Sequence, residues 1–148
     1  MDKDVFMKRA LELAKESANE NEVPVGAVVV FDGRIVGEGR NRREKNKNAL
    51  CHAELEAIDN ACKNLGGWRL HKCDIYVTLE PCPMCAGAII NSRIKKVYFG
   101  ANDPKNGAIV SKACLFDFDF THKPEYESGI LADESSKVLR DFFKSLRK

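Results

Sequence analysis

A continuous apolar run near the N-terminus constrains the fold more than any other feature. Val25 to Phe31 contains no polar residue and includes three consecutive valines. A run without polar alternation is typical of a strand that is buried on both faces. The pair Asp32-Gly33 follows and favours a tight hairpin, so that 34–39 is predicted to form the returning strand. The sheet is therefore expected to be covered on both sides.

Helical and strand patterns alternate along the rest of the chain. Apolar residues recur at helical spacing in some segments, and short apolar runs indicate strands between them. The predicted helices cover 6–18, 52–65, 82–92 and 132–146, and the later strands cover 74–79 and 95–100. This order predicts an α/β fold, a three-layer α/β/α arrangement with a central mixed sheet, in a single domain over residues 1–148.

The second predicted helix has a clear apolar stripe, whereas one later segment has an ambiguous pattern. In the 52–65 helix we expect Leu55, Ile58, Cys62 and Leu65 to form the buried stripe. The segment 114–120 alternates apolar and acidic residues and predicts no definite element.

Composition excludes several classes of protein. The chain has 148 residues, of which 44% are hydrophobic and 31% charged, as in a folded domain of ordinary size. No apolar run approaches the roughly 20 residues of a membrane-spanning helix, and no secretory signal is visible. We therefore expect a cytoplasmic protein without membrane contact.

Positive charge is clustered although the formal net charge is only +2. One cluster covers 40–47 and a second lies at the C-terminus. They contain Arg40, Arg42, Arg43, Lys45 and Lys47, and then Lys137, Arg140, Lys144, Arg147 and Lys148. Each cluster suits either a solvated surface or contact with RNA phosphates.

Two short motifs carry candidate chemistry. His52-Ala53-Glu54 and Pro81-Cys82-Pro83-Met84-Cys85 each open a predicted helix. Free N–H groups and the positive end of the helix dipole favour thiolates at such a position. The motifs allow three interpretations: a redox pair of cysteines, a closed structural zinc site, or a catalytic zinc site.

The three interpretations use the residues differently. A redox pair leaves His52 and Glu54 without a role, and a closed zinc site needs a fourth ligand such as Cys51 or Cys73. A catalytic site uses His52, Cys82 and Cys85 as ligands and leaves the fourth position to water. Glu54 then lies close enough to move protons between that water and a leaving nitrogen. We favour the catalytic interpretation.

An H-x-E motif followed by P-C-x-x-C is the known signature of zinc-dependent nucleobase deaminases. The chain resembles the bacterial tRNA-specific adenosine deaminases over nearly its whole length. The resemblance rests on the two motifs and on 22–28, 37–41, 77–88, 92–94, 99–105, 129–131 and 142–143. It is weakest over 113–120.

The resemblance implies a cytidine deaminase-like fold, one zinc per subunit and a homodimer. It implies hydrolysis of adenosine to inosine at the wobble position of a tRNA anticodon stem-loop. His52, Cys82 and Cys85 match the zinc ligands, Glu54 the proton shuttle, and Val25, Asn41, Ala53, Asp103 and Lys105 the substrate-binding residues. Candidate RNA contacts are Arg42, Arg43, Phe142, Phe143, Lys144 and Arg147.

Two other functions remain open at this point. A free nucleobase or nucleoside deaminase would use the same zinc chemistry. A non-catalytic RNA-binding module stabilised by zinc would need the ligands but not Glu54.

Overall fold

The computed structural model describes residues 3–147. The helices are α1 (Lys3–Asn19), α2 (Arg43–Asn46), α3 (Ala53–Leu65), α4 (Pro83–Asn91) and α5 (Ala132–Leu146), with a 3₁₀ turn at Leu115–Asp117. The strands are β1 (Gly26–Phe31), β2 (Arg34–Arg40), β3 (Cys73–Leu79), β4 (Lys96–Ala101) and β5 (Glu125–Glu127). None of the helices within 3–147 has both the length and the apolar character needed to cross a bilayer.

The strands form one mixed sheet in the order β2-β1-β3-β4-β5. β1 is antiparallel to both β2 and β3, while β3, β4 and β5 are parallel. The prediction of a central mixed sheet is therefore confirmed. Strand β5 was not predicted, because Glu125–Glu127 is short and polar and becomes a strand only through its pairing with β4.

Helices cover both faces of the sheet, which confirms the three-layer arrangement. Successive residues of a strand point to opposite faces. In β1, Val29 packs in a core with α3 and α4, whereas Val28 packs with α1. Ile130 and Val138, just before and within α5, join the α1 side.

Helix α3 packs against β2 at very short range. A Cβ atom on Gly39 would lie 2.2 Å from the carbonyl oxygen of Ala53, and one on Gly37 would lie 2.3 Å from that of Ala57. Only small side chains fit between elements this close, and the buried face of α3 consists of Ala53, Glu54, Ala57 and Ala61.

The predicted stripe of α3 was therefore wrong. Leu55, Ile58 and Cys62 are only half-buried, and Leu65 is exposed. The helix turns its alanines towards the glycines of β2, and the larger residues lie at the edge of that contact. This packing fixes where α3 begins, and thus where His52 lies.

Candidate active site

The two motifs occupy equivalent positions at the starts of two helices. His52 is the N-cap of α3 and Cys82 the N-cap of α4, both with extended backbone. Pro83 is at the first helical position of α4, which suits its fixed φ and missing N–H. Cys85 follows in the first turn. Both helices therefore direct their positive ends towards one point.

Three side chains converge at that point. The Nδ1 atom of His52 lies 3.7 Å from Sγ of Cys82 and 3.6 Å from Sγ of Cys85. All three donor atoms lie within 4.8 Å of one another. A tetrahedral zinc with ordinary Zn–S and Zn–N bonds places sulfur and nitrogen about 3.6 Å apart. The donor set therefore fits zinc in both chemistry and spacing.

The geometry favours a centre with three protein ligands. Within 3–147, His52, Cys82 and Cys85 form the one cluster of three or more metal-capable side chains. The Cys51 sulfur instead accepts a hydrogen bond from Asn46 at 3.4 Å, and Cys73 is buried in the sheet core. Neither candidate fourth ligand joins the cluster, so the closed structural site finds no support.

Hydrogen bonds within the cluster prepare a thiolate. The Cys85 thiol donates the stronger hydrogen bond to the sulfur of Cys82, and the His52 ring donates a weaker one. Together they lower the pKa of Cys82 to about 4, although burial raises it. The pKa of Cys85 is raised because it is the donor in this pair. The pKa of His52 is raised by its hydrogen bond with Cys82. Cys82 is thus the member of the cluster that most readily loses its proton.

Glu54 lies beside this cluster in the first turn of α3. Its side chain is buried, with 4% exposure, and its carboxyl group contacts the Cys85 thiol. Burial raises the pKa of Glu54 to about 7. A carboxyl group with this pKa can both accept and return a proton near neutral pH.

A cavity of about 760 Å³ opens over the cluster. Its wall contains all the residues predicted to bind substrate. It is lined by Val23, Val25, Asn41, Arg43, His52, Ala53, Glu54, Leu79, Glu80, Cys82, Pro83, Asn102, Asp103, Pro104, Lys105, Asn106, Leu139 and Phe143. The volume is ample for a nucleoside.

Comparison with known proteins identifies the family. Residues 1–147 match the model of the MafB19-like deaminases. The tRNA-specific adenosine deaminase of Bacillus subtilis is 47% identical over 146 residues, which are 98% of this chain and 91% of that protein. The chain is a member of the tRNA-specific adenosine deaminase family.

Other members and a solved structure agree with this assignment. The tRNA-specific adenosine deaminase of Haemophilus influenzae is 48% identical, over 97% of this chain and 84% of that protein. A structure from a study of A-to-I editing by tRNA A34 deaminases superposes with a TM-score of 0.89 at 43% identity. The superposed region covers 91% of this chain and 99% of the chain in that structure. The predicted cytidine deaminase-like fold is confirmed.

The basic loop before α3 is less free than its sequence suggests. Arg40 is buried and pairs with Glu20 at 2.7 Å, and Arg42 pairs with Glu56 at 2.8 Å. Arg43 is exposed and lines the cavity. Among the basic residues of this loop, Arg43 is therefore the one that lines the cavity, while Lys45 and Lys47 are exposed outside it.

The aromatic pair of α5 separates into one buried and one accessible ring. Phe142 is 7% exposed, whereas Phe143 is 43% exposed and lines the cavity. Phe143, not Phe142, therefore has the surface that a contact with RNA requires. Lys144 and Arg147 are exposed beyond it, and Lys148 lies outside the described residues.

Two buried carboxylates that hold cavity-lining segments were not predicted from the sequence. Glu22 accepts the backbone N–H groups of Glu44 and Lys45 at 3.1 and 2.7 Å. Glu80 accepts several N–H groups from the 103–111 segment. The only sequence signal was that Glu80 directly precedes the Pro81-Cys82 motif without a role in zinc binding.

Proposed function

We propose that the chain hydrolyses adenosine to inosine at the first, wobble position of a tRNA anticodon. The observation that carries this proposal is the buried carboxyl group of Glu54 beside the His52, Cys82 and Cys85 donors at the base of a nucleoside-sized cavity. The names of the family members supply the substrate class.

In this proposal His52, Cys82 and Cys85 hold one zinc ion per subunit. When bound, zinc would polarise the attacking water. The two cysteine sulfurs and the His52 ring fix the centre, because each is set by the start of a helix that is packed in the core. No fourth side chain of the described residues joins them, which leaves room for the water.

Glu54 moves the protons of the reaction. The water oxygen forms a bond to C6 of adenine, the bond from C6 to the exocyclic nitrogen breaks, and ammonia leaves. Glu54 takes a proton from the water and delivers protons to the ring and to the departing nitrogen. Its raised pKa, near 7 through burial, suits both directions of transfer.

The cavity wall would hold the flipped base. The side-chain amide of Asn41 is fixed, since its Nδ2 donates to the Val23 carbonyl at 3.1 Å and its Oδ1 accepts the Arg43 N–H at 3.3 Å. Ala53 is the first residue of α3, and backbone N–H groups at this position lack a partner within the helix. That N–H is thus suited to the edge of a base, and Val25 to its face.

The rim would contact the neighbouring nucleotides of the anticodon stem-loop. Asp103 and Lys105 lie on one side of the cavity, and Arg43 and Phe143 also line it. Arg42, Lys144 and Arg147 extend this surface as further candidates.

The cellular location follows from the substrate and the cysteines. A protein that acts on tRNA, and whose six cysteines are all unpaired, is placed most simply in the cytoplasm. We assign the whole activity to a single domain.

We further infer that the chain forms a homodimer, as the resemblance implies. An open groove of about 510 Å³ lies over α3, α4 and the 115–121 segment. Its lining includes Leu50, which is 58% exposed, and Phe120, which is 50% exposed, together with Met84 and Ile90. Apolar exposure of this kind is typical of an interface. Sedimentation equilibrium tests the inference, and Leu50→Glu should shift the protein towards a monomer.

The function is tested by offering alternative substrates to the zinc-loaded protein. We expect inosine in a stem-loop that carries a wobble adenosine, and little turnover of free adenosine, cytidine or guanine. Turnover of a free base without action on the stem-loop would instead establish a free nucleobase deaminase. Binding of the stem-loop without any turnover would establish a zinc-stabilised RNA-binding module.

A further inference from the structure

The carboxylate of Glu80 collects an unusual number of hydrogen bonds. Glu80 is 2% exposed. It accepts the backbone N–H groups of Asp103 at 3.0 Å, Ile109 at 3.1 Å, Val110 at 2.8 Å and Ser111 at 2.9 Å. It also accepts the hydroxyl of Ser111. A single side chain thus satisfies both ends of the segment 103–111.

This buried charge is balanced by hydrogen bonds. Within 3–147 no lysine, arginine or histidine forms an ion pair with Glu80. The four backbone N–H groups and the Ser111 hydroxyl instead supply hydrogen-bond donors to both carboxylate oxygens. A Cβ atom on Gly107 would lie 2.3 Å from the carboxyl carbon. The segment is therefore folded closely around the carboxylate.

The same segment contributes residues that line the cavity. Asp103, Pro104, Lys105 and Asn106 line the cavity. The Oδ1 atom of Asp103 accepts the N–H groups of Lys105 and Asn106 at 3.1 and 3.2 Å, which fixes the turn between them.

Glu80 also lies two residues before the ligand Cys82. Its N–H donates to the Ala101 carbonyl at 2.9 Å, and the Ala108 N–H donates to the Pro81 carbonyl at 2.9 Å. The backbone that leads to Cys82 is therefore hydrogen-bonded to Ala101, before the cavity-lining residues 102–106, and to Ala108, after them.

We propose that Glu80 is a positioning residue that sets the selectivity for the nucleotide beside the target adenosine. It does so by holding Asp103 and Lys105 at a fixed place relative to the ligand turn. This inference rests on the proposed function, since it concerns the same cavity and the same RNA.

The test measures kcat and KM on stem-loops that differ only in the nucleotide next to the wobble adenosine. Glu80→Gln keeps the size of the side chain but replaces one acceptor oxygen by an amide that cannot accept. Each carboxylate oxygen accepts at least two of these hydrogen bonds. Selectivity among these stem-loops should therefore fall by at least about tenfold, the factor for one lost hydrogen bond to a charged group. The fall should appear mainly in KM, with a smaller change in kcat.

Two further variants make the test specific. Ser111→Ala removes one donor and leaves the N–H groups in place, so it should cause a smaller loss of selectivity in the same direction. Glu22→Gln is the matched control, because it releases the opposite rim segment at Glu44 and Lys45. It should leave selectivity at the neighbouring nucleotide as in the wild type. Amide hydrogen exchange should be faster over 109–111 in Glu80→Gln only.

Each outcome has a separate meaning. If the wild type deaminates no stem-loop, the proposed function is wrong. If the wild type is active but does not discriminate at this nucleotide, or if Glu80→Gln discriminates equally well, the positioning role is wrong. If Glu80→Gln does not fold, the comparison of Ser111→Ala with Glu22→Gln decides on the same criterion.

Discussion

The ligand centre and the cavity rim are built in different ways. In the centre, His52, Cys82 and Cys85 each lie at or within the first turn of a helix, and their positions follow from local chain geometry. On the rim, the segments 41–47 and 103–111 contain no regular structure apart from the single turn of helix α2. They are held by Glu22 and Glu80, which lie more than twenty residues away in sequence from most of their partners.

This difference separates chemistry from recognition. The centre needs donors within a few tenths of an ångström of fixed positions, and packed helix starts provide this rigidity. The rim needs to match one RNA, and loops can change in sequence without disturbing the core. Disruption of the centre should therefore abolish turnover, whereas disruption of the rim should alter affinity, and disruption of the 103–111 segment should also alter selectivity for the neighbouring nucleotide.

The largest effect is expected in the centre, at Glu54. Glu54→Gln should lower kcat by about 10²–10⁴-fold, since the amide cannot transfer protons. Zinc content and the melting temperature should stay near those of the wild type. Single-turnover assays on the stem-loop measure the rate, and a variant that reacts at the wild-type rate would refute the proton-transfer role.

Removal of a ligand should affect stability as well as activity. Cys85→Ser should reduce the zinc content from about one per chain towards none, and metal binding contributes to folding free energy. Metal analysis and thermal unfolding with and without a chelator provide the measurement. The chelator should lower the melting temperature of the wild type but not of this variant. Cys62→Ser, outside the cluster, is the control; zinc retained in Cys85→Ser would contradict the ligand assignment.

A milder effect is expected on the rim, at Arg43. Arg43→Ala should weaken stem-loop binding by a few-fold and reduce the slope of log affinity against log salt by about one, as for the loss of one phosphate contact. The kcat at saturating RNA should change little. Lys15→Ala makes the same charge change on exposed α1 outside the cavity, and an equal effect of both substitutions would argue against a specific contact.

The smallest effect is expected in the scaffold that carries both regions. The Arg9 guanidinium, bonded to Glu38 at 2.7 Å, lowers the pKa of Glu38 below 4.5 and joins α1 to β2. Because the folded pKa is lowered, the stabilisation is present above about pH 4.5 and is lost as the pH falls through the folded value. Glu38→Gln should cost less than about 1 kcal/mol at pH 7, since the pair is partly exposed. Denaturant unfolding should be measured for the wild type and Glu38→Gln at pH 7 and at a pH well below 4.5. The difference in free energy of unfolding between the two proteins should vanish at the acidic pH, and a difference that persists there would contradict the pairing.

The same contrast explains what the sequence could predict. The apolar runs and short motifs are local in sequence. They predicted the main helices and strands to within three residues at each end, and they predicted the three residues that meet at the centre. The stripe of α3 was wrong because Gly37 and Gly39, on another element, determine which face is buried. Strand β5 was overlooked because only pairing with β4 defines it.

Long-range pairing also limited the predictions for the rim. The 40–47 segment is strongly basic in sequence, yet Glu20, just after α1, and Glu56, in α3, neutralise part of it. The anchoring roles of Glu22 and Glu80 depend on contacts with distant segments that no spacing rule reveals. The roles of individual residues towards RNA stay predictions.

The most direct measurement is mass spectrometry of a wobble-adenosine stem-loop after reaction in heavy-oxygen water. A matched stem-loop with the adenosine moved one position along the anticodon serves as the comparison. We predict inosine at the wobble position only, with one oxygen taken from the solvent and one ammonia released. An unchanged stem-loop in the presence of zinc-loaded, folded protein would contradict the proposed function.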